Sequence, residues 1–85
     1  MKVIPKKEME AIVYDGSNVD ELKEFCGEEN VDNEFVSKRV EVFTENGWIE
    51  VEVGDVVLDF FNDTSYNFII LSRETFDKHF KIVGV

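Results

Sequence analysis

Apolar and polar residues alternate along most of this chain, with a clear departure to helical spacing near the start. Met9 to Tyr14 (Met-Glu-Ala-Ile-Val-Tyr) is rich in β-branched and aromatic residues and predicts a strand. Asp15-Gly16 ends it in a turn. Val19, Leu22, Phe25 and Cys26 then share one helical face, while Asp20, Glu21 and Glu24 take the other. Ser17 or Asn18 supplies the N-cap, Asp20 and Glu21 sit where the helix dipole favours acids, and Gly27 stops the helix. Glu28 to Asn33 is polar and reads as a loop.

Alternation returns from Phe35 to Thr44, and Asn46-Gly47 between two such runs predicts a hairpin with a two-residue type I′ turn. Gly54-Asp55 marks the next turn, Val56 to Phe61 a strand, Asn62 to Ser65 a loop. Tyr66 to Leu71 is apolar on both sides, as a central or covered strand would be. Ser72 caps a short final helix, Arg73 to Phe80, anchored by Phe76 and Phe80 at i,i+4. Ile82 and Val83 are placed as a returning terminal strand. The expectation is one α+β domain over residues 1–85: a small curled antiparallel sheet or partly open barrel, one covering helix and a short C-terminal helix.

Counting outward from an Asn46-Gly47 turn sets Val42 opposite Val51, Phe43 opposite Glu50 and Glu41 opposite Glu52. One face then carries Val40, Val42, Ile49, Val51 and Val53 toward the core. The other carries Glu41, Phe43, Glu45, Trp48, Glu50 and Glu52, two large aromatics among four carboxylates. Like charges directly opposite are destabilising. Either Lys38, Arg39 or a neighbouring strand relieves them and a helix covers the aromatics, or this face is a binding surface. Alternate residues on a strand repeat at about 6.7 Å. Glu50 and Glu52 therefore repeat at a spacing comparable to nucleic-acid phosphates, which a basic partner recognises.

Composition sharpens this. Nineteen acids against nine bases give a formal charge of −10, which repels bare nucleic acid and anionic membranes. From Val40 to Ser72 there are seven acids (Glu41, Glu45, Glu50, Glu52, Asp55, Asp59, Asp63) and no Lys or Arg. Solubility alone accounts for an acidic balance; its concentration in one stretch also suits a basic partner. At 85 residues and 44% apolar content the chain suffices for one small core, and self-association into a homodimer would add to it. No secretory h-region or membrane-length apolar run is visible, so a cytoplasmic location is expected.

Candidate chemistry is sparse. Cys26 is the sole cysteine and lies on the apolar stripe of the helix, as a small buried residue would. His79 is the sole histidine, so no histidine triad for a metal exists, and it sits between Lys78 and Phe80 at a solvated helical position. The five glycines are isolated turn residues rather than a phosphate cradle. Asp55, Asp59 and Asp63 span a strand and do not follow calcium-loop spacing. The expectation is a non-enzyme with no cofactor and no metal.

Two segments resemble a family of small, largely uncharacterised proteins of tailed bacteriophages and prophages. The first runs from Lys2 to Gly16, a basic start and a Glu-Ala-containing strand ending in Asp-Gly, and continues through the helix Asn18 to Phe25. The second is Val51-Glu52-Val53-Gly54-Asp55-Val56-Val57-Leu58, similar to that family's Pro-Gly-Asp turn and apolar strand, followed by Phe68, Arg73 to Phe76 and Phe80. Val53 stands where the family usually has Pro, and residues 62–67 lack its glycine-containing stretch. The resemblance implies a phage accessory protein that binds and blocks a host factor, such as a basic, nucleic-acid-binding defence protein of the CRISPR nuclease kind. Two alternatives stand beside it: an oligomer sequestering a nucleotide signal, and a phage structural or assembly module. A phosphate ligand would have to use Lys6, Lys7, Lys38, Arg39 or Arg73.

Overall fold

A computed structural model describes residues 1–4, 6, 8–34, 36–60 and 68–84. The class is α+β: the described residues form two helices and six strands, the strands divided between two three-stranded antiparallel sheets that do not close into a barrel. The order along the chain is β1 (Glu10–Val13), α1 (Val19–Cys26), a 3₁₀ turn (Glu28–Asn30), β2 (Val31–Asn33), β3 (Val40–Thr44), β4 (Gly47–Glu50), β5 (Val56–Asp59), β6 (Phe68–Leu71) and α2 (Arg73–His79).

The first sheet runs β1-β5-β6. Ile12, Val57 and Ile70 align across it, and so do Val13, Val56 and Leu71 one position along. Because side chains alternate, these two rows point to opposite faces. The Val57 face packs with Leu22 and Cys26 of α1, and the Val56 face with Phe76 of α2. The central strand β5 is therefore buried on both sides, and Val56 and Val57 are fully inaccessible. The second sheet runs β2-β3-β4, and only one of its faces joins the core, through Val31, Val40, Val42 and Val51. Helix α1 thus spans both sheets: Leu22 is fully buried, and the Phe25 ring meets Phe68 of β6 at 6.2 Å.

The punctuation around α1 has a specific chemistry. Asn18 is the N-cap residue, yet its side chain turns back: Oδ1 accepts from Asp15 N at 2.8 Å and Nδ2 donates to Val13 O at 2.8 Å. Asp15 Oδ1 accepts from both the backbone N–H and the hydroxyl of Ser17, which holds its carboxyl below the usual range. At the other end Gly27 adopts φ 94°, open to glycine and strained for other residues, and donates to Lys23 O at 2.8 Å. Ser72 caps α2 as expected, its hydroxyl accepting from Thr75 N, and the Phe76 and Phe80 rings stack at 5.2 Å.

Three expectations change. The stretch 28–33 is a 3₁₀ turn and a strand rather than a loop: Asn30 is buried, donates to Cys26 O, and delivers Val31 into the core. Ile82 and Val83 form no strand and are exposed. The Gly54 turn is type II, with Asp55 N donating to Glu52 O at 2.9 Å and Gly54 at φ 95°. Val53 occupies its first central position and is 70% exposed, outside the core face it was assigned to. The expectations on Phe35, Phe61, the 62–65 loop and Tyr66 lie outside the described residues.

Candidate functional site

The β3–β4 hairpin turns one residue earlier than Asn46-Gly47 implies. Thr44 pairs with Gly47, so Glu45 and Asn46 form the turn. A type I′ turn needs positive φ at both central residues, and of Asn46 and Gly47 only Gly47, at 91°, has it. The geometry is that of a type I turn closed by a glycine bulge. Thr44 fixes it: its hydroxyl accepts from Asn46 N at 3.1 Å and donates to Gly47 O at 3.0 Å.

The register consequently moves by two. Val42 faces Ile49 rather than Val51, Phe43 faces Trp48 rather than Glu50, and Glu41 faces Glu50 rather than Glu52. A slip of two leaves the side chains of the paired residues on their expected faces. Val40, Val42 and Val51 are buried together, and Val51 N donates to Val40 O at 2.8 Å. Ile49, nearer the hairpin tip, stays 38% exposed.

The opposite face carries the chemistry. Phe43 and Trp48 sit directly across from each other with ring centroids 5.2 Å apart, tilted by 57°, and Trp48 keeps 46% of its surface exposed. Next along, Asp32, Glu41 and Glu50 form a row across β2, β3 and β4. Directly opposite residues have Cβ atoms about 5 Å apart, so three carboxylates span roughly 10 Å. Among the described residues Arg39 enters the row, its Nε approaching Glu50 Oε1 at 3.5 Å, with both side chains half exposed. Such a pair is weak, since water screens it. Beyond the row, Glu34 N donates to Arg39 O, extending the ladder by one rung.

Of the six residues proposed from sequence, the structure brings Glu41, Phe43, Trp48 and Glu50 into one patch. Glu45 lies in the turn at its tip, and Glu52 opens the next turn, its backbone N–H bound by the Asp55 carboxylate at 3.0 Å. Asp32 was missed because its strand is three residues long; the alternation Val31-Asp32 was the available signal.

The remaining candidates are scattered. Cys26 is buried in the core, and burial, reinforced by the Asp59 charge, pushes its thiol up to about 12. His79 is exposed at the end of α2. Arg73 Nε binds the Asp77 carboxylate at 2.9 Å, far along the chain from Arg39 in the acidic row. Lys7 lies outside the described residues, as does Asp63. Among the described residues no cluster of His, Cys, Asp and Glu has metal-site geometry, and no helix is long and apolar enough to cross a membrane. A groove of about 490 Å³ lies elsewhere, between β1, α2 and the segment after it. Comparison with protein-family models, with curated proteins and with solved structures gives no match.

Proposed function

We propose that this chain is a non-enzymatic binding protein whose acidic, aromatic-tipped sheet face occupies a basic, nucleic-acid-binding surface on a host protein and blocks it. The observation that carries the reading is the Asp32–Glu41–Glu50 row beside the half-exposed Trp48. Three like charges held side by side oppose folding, and a partner's cations would relieve them. The aromatic pair adds a rigid apolar contact of the kind that dominates interface energy. Nucleic acid and membranes do not fit a chain of charge −10. The resemblance to small phage proteins directs the search for the partner to host defence nucleases.

The test is capture of partners from host lysate on the immobilised wild-type chain, with the Glu41→Lys/Glu50→Lys variant in parallel. A true partner is retained by wild type, lost with the double reversal, released as salt rises and displaced by added nucleic acid. Steering by charge acts mainly on the association rate. Trp48→Ala is expected to weaken binding more than any single carboxylate change. A captured protein indifferent to both salt and the double reversal overturns the reading.

A further inference from the structure

Strand β4 ends its sheet, hydrogen-bonded to β3 alone among the described strands. Val51 N donates to Val40 O at 2.8 Å, which fixes the parity of the ladder. Bonded pairs recur at every second residue of an antiparallel pair, so Ile49 and Val51 turn their backbone groups toward β3. Trp48 and Glu50 turn theirs outward. The other side of β3 agrees: Glu34 N donates to Arg39 O, so Arg39 and Glu41 face β2 while Val40 and Val42 face β4. The edge of β4 thus offers two N–H and two C=O groups as a template for another strand. Its two faces are also incompletely covered. Trp48 on the outer face keeps 46% of its surface exposed, and Ile49 on the inner face keeps 38%.

An antiparallel strand laid on this edge needs a cation beside Glu50, then an apolar residue beside Ile49, then another beside Trp48. The chain itself contains that order in Lys2-Val3-Ile4. Lys2 would add a positive charge at the end of the Asp32–Glu41–Glu50 row, and Ile4 would form an aromatic–β-branched pair with Trp48, a favourable cross-strand contact. The proline after Ile4 biases that residue toward extended backbone. All three residues lie outside every helix and strand, with Val3 80% and Ile4 88% exposed, so the segment is not seated on its own chain. Most of a chain of charge −10 repels a copy of itself, but Met1 to Lys7 holds three lysines and no acid. We propose that Lys2–Ile4 of one copy adds as a fourth strand to the β4 edge of a second copy. Backbone bonds supply the attraction, and the alternating side chains set the register. The exchange needs no host partner and does not rest on the function proposed above.

The experiment is a concentration series on the full chain from about 5 to about 500 µM, across the range of weak association, read by sedimentation and by amide NMR. Salt of about 0.15 M screens repulsion between the acidic bodies beyond about 8 Å. The expected result is self-association, with concentration-dependent amide shifts at Lys2–Ile4 and at Trp48–Glu50. Val3→Asp sets a carboxylate against Ile49 and should hold the chain monomeric. Its circular dichroism spectrum should not change, because Val3 lies outside every helix and strand. Lys2→Glu and Glu50→Lys should each weaken association by about tenfold, since each turns an attraction into a repulsion. Mixing those two variants should restore it, because every segment then meets an edge of opposite charge. Val3→Asp leaves the acidic row intact, so capture of a host protein by that variant tests the proposed function separately. A monomer at every concentration overturns the inference, and so does an association that survives Val3→Asp or is not restored by mixing. A monomer in which Val3→Asp still shifts the Trp48 and Glu50 amides overturns it in favour of the segment folding onto its own chain.

Discussion

Glu41→Gln should make this protein more stable and a worse binder. Glu41 is the middle carboxylate of the row, directly opposite Asp32 on one side and Glu50 on the other. Two unit charges about 6 Å apart in water repel by roughly 0.7 kcal/mol. Two such neighbours give about 1.4 kcal/mol before screening, which halves it at physiological ionic strength. The glutamine keeps the size and polarity of the side chain, so the change isolates charge. At low salt the expected gain is about 1 kcal/mol, within the range measured for pairs of cross-strand contacts. With a urea slope near 1 kcal/mol/M for a small domain, the unfolding midpoint should rise by about 1 M. At 1 M salt, where screening acts over about 3 Å, the gain should almost vanish.

A companion variant guards against a general effect of lowering the net charge. Glu52→Gln removes the same charge, but Glu52 faces neither Glu41 nor Asp32, so its midpoint should move little. The hairpin register implied by an Asn46-Gly47 turn would instead make Glu52 the sensitive residue. A Glu41→Gln midpoint that fails to rise at low salt, or a rise that persists at 1 M salt, refutes the account of the row. Equal gains from Glu52→Gln refute the register.

Leu22→Ala removes a fully buried side chain from between the two sheets and should cost about 3 kcal/mol in a denaturant titration. Val53→Pro should stabilise by about 0.5–1 kcal/mol, because Val53 is exposed at the first central position of a type II turn, where proline is favoured. Cys26 should resist alkylation in the folded state. A thiol raised from 9.0 to about 12 holds roughly a thousandfold less thiolate at pH 8, so mass spectrometry should find labelling only on unfolding. The same shift gives stability that is complete below pH 9 and declines as pH rises from there toward 12, since only the unfolded chain ionises in that window.

The sequence made the helices and the face assignments legible because both rest on local rules. α1 runs from Val19 to Cys26 with Gly27 at its end, as periodicity and capping implied, and Ser72 caps α2 by the expected bond. The faces of the hairpin survived an error in register because the slip was two residues and the side-chain period is two. The slip itself came from Thr44, whose hydroxyl closes the turn around Glu45 and Asn46. A dipeptide rule sees Asn-Gly and not the threonine two residues before it. β2 was unreadable for a different reason. Three residues carry too little pattern to distinguish a strand from a loop, and Val31–Asn33 is a strand because β3 lies beside it. Asp32, and with it the third charge of the row, was hidden by the same lack of pattern.

The division into two sheets explains where a binding face can arise. The β1-β5-β6 sheet has helices on both sides, so its central strand is apolar at Val56, Val57 and Leu58, and these positions present no charge to water. The β2-β3-β4 sheet shares its inner face with α1 and leaves its outer strand positions to water. Those outer positions hold Asp32, Glu41 and Glu50, with Arg39 the cation recorded in an ion pair there. Water tolerates a charged residue at such a position, but it does not require three of the same sign in register across three strands. Lys or Thr at the place of Glu41 would serve the fold better by the repulsion worked out above. Under the function proposed above, an arrangement that costs stability and sits beside a half-exposed tryptophan would be offset by a partner that supplies positive charge.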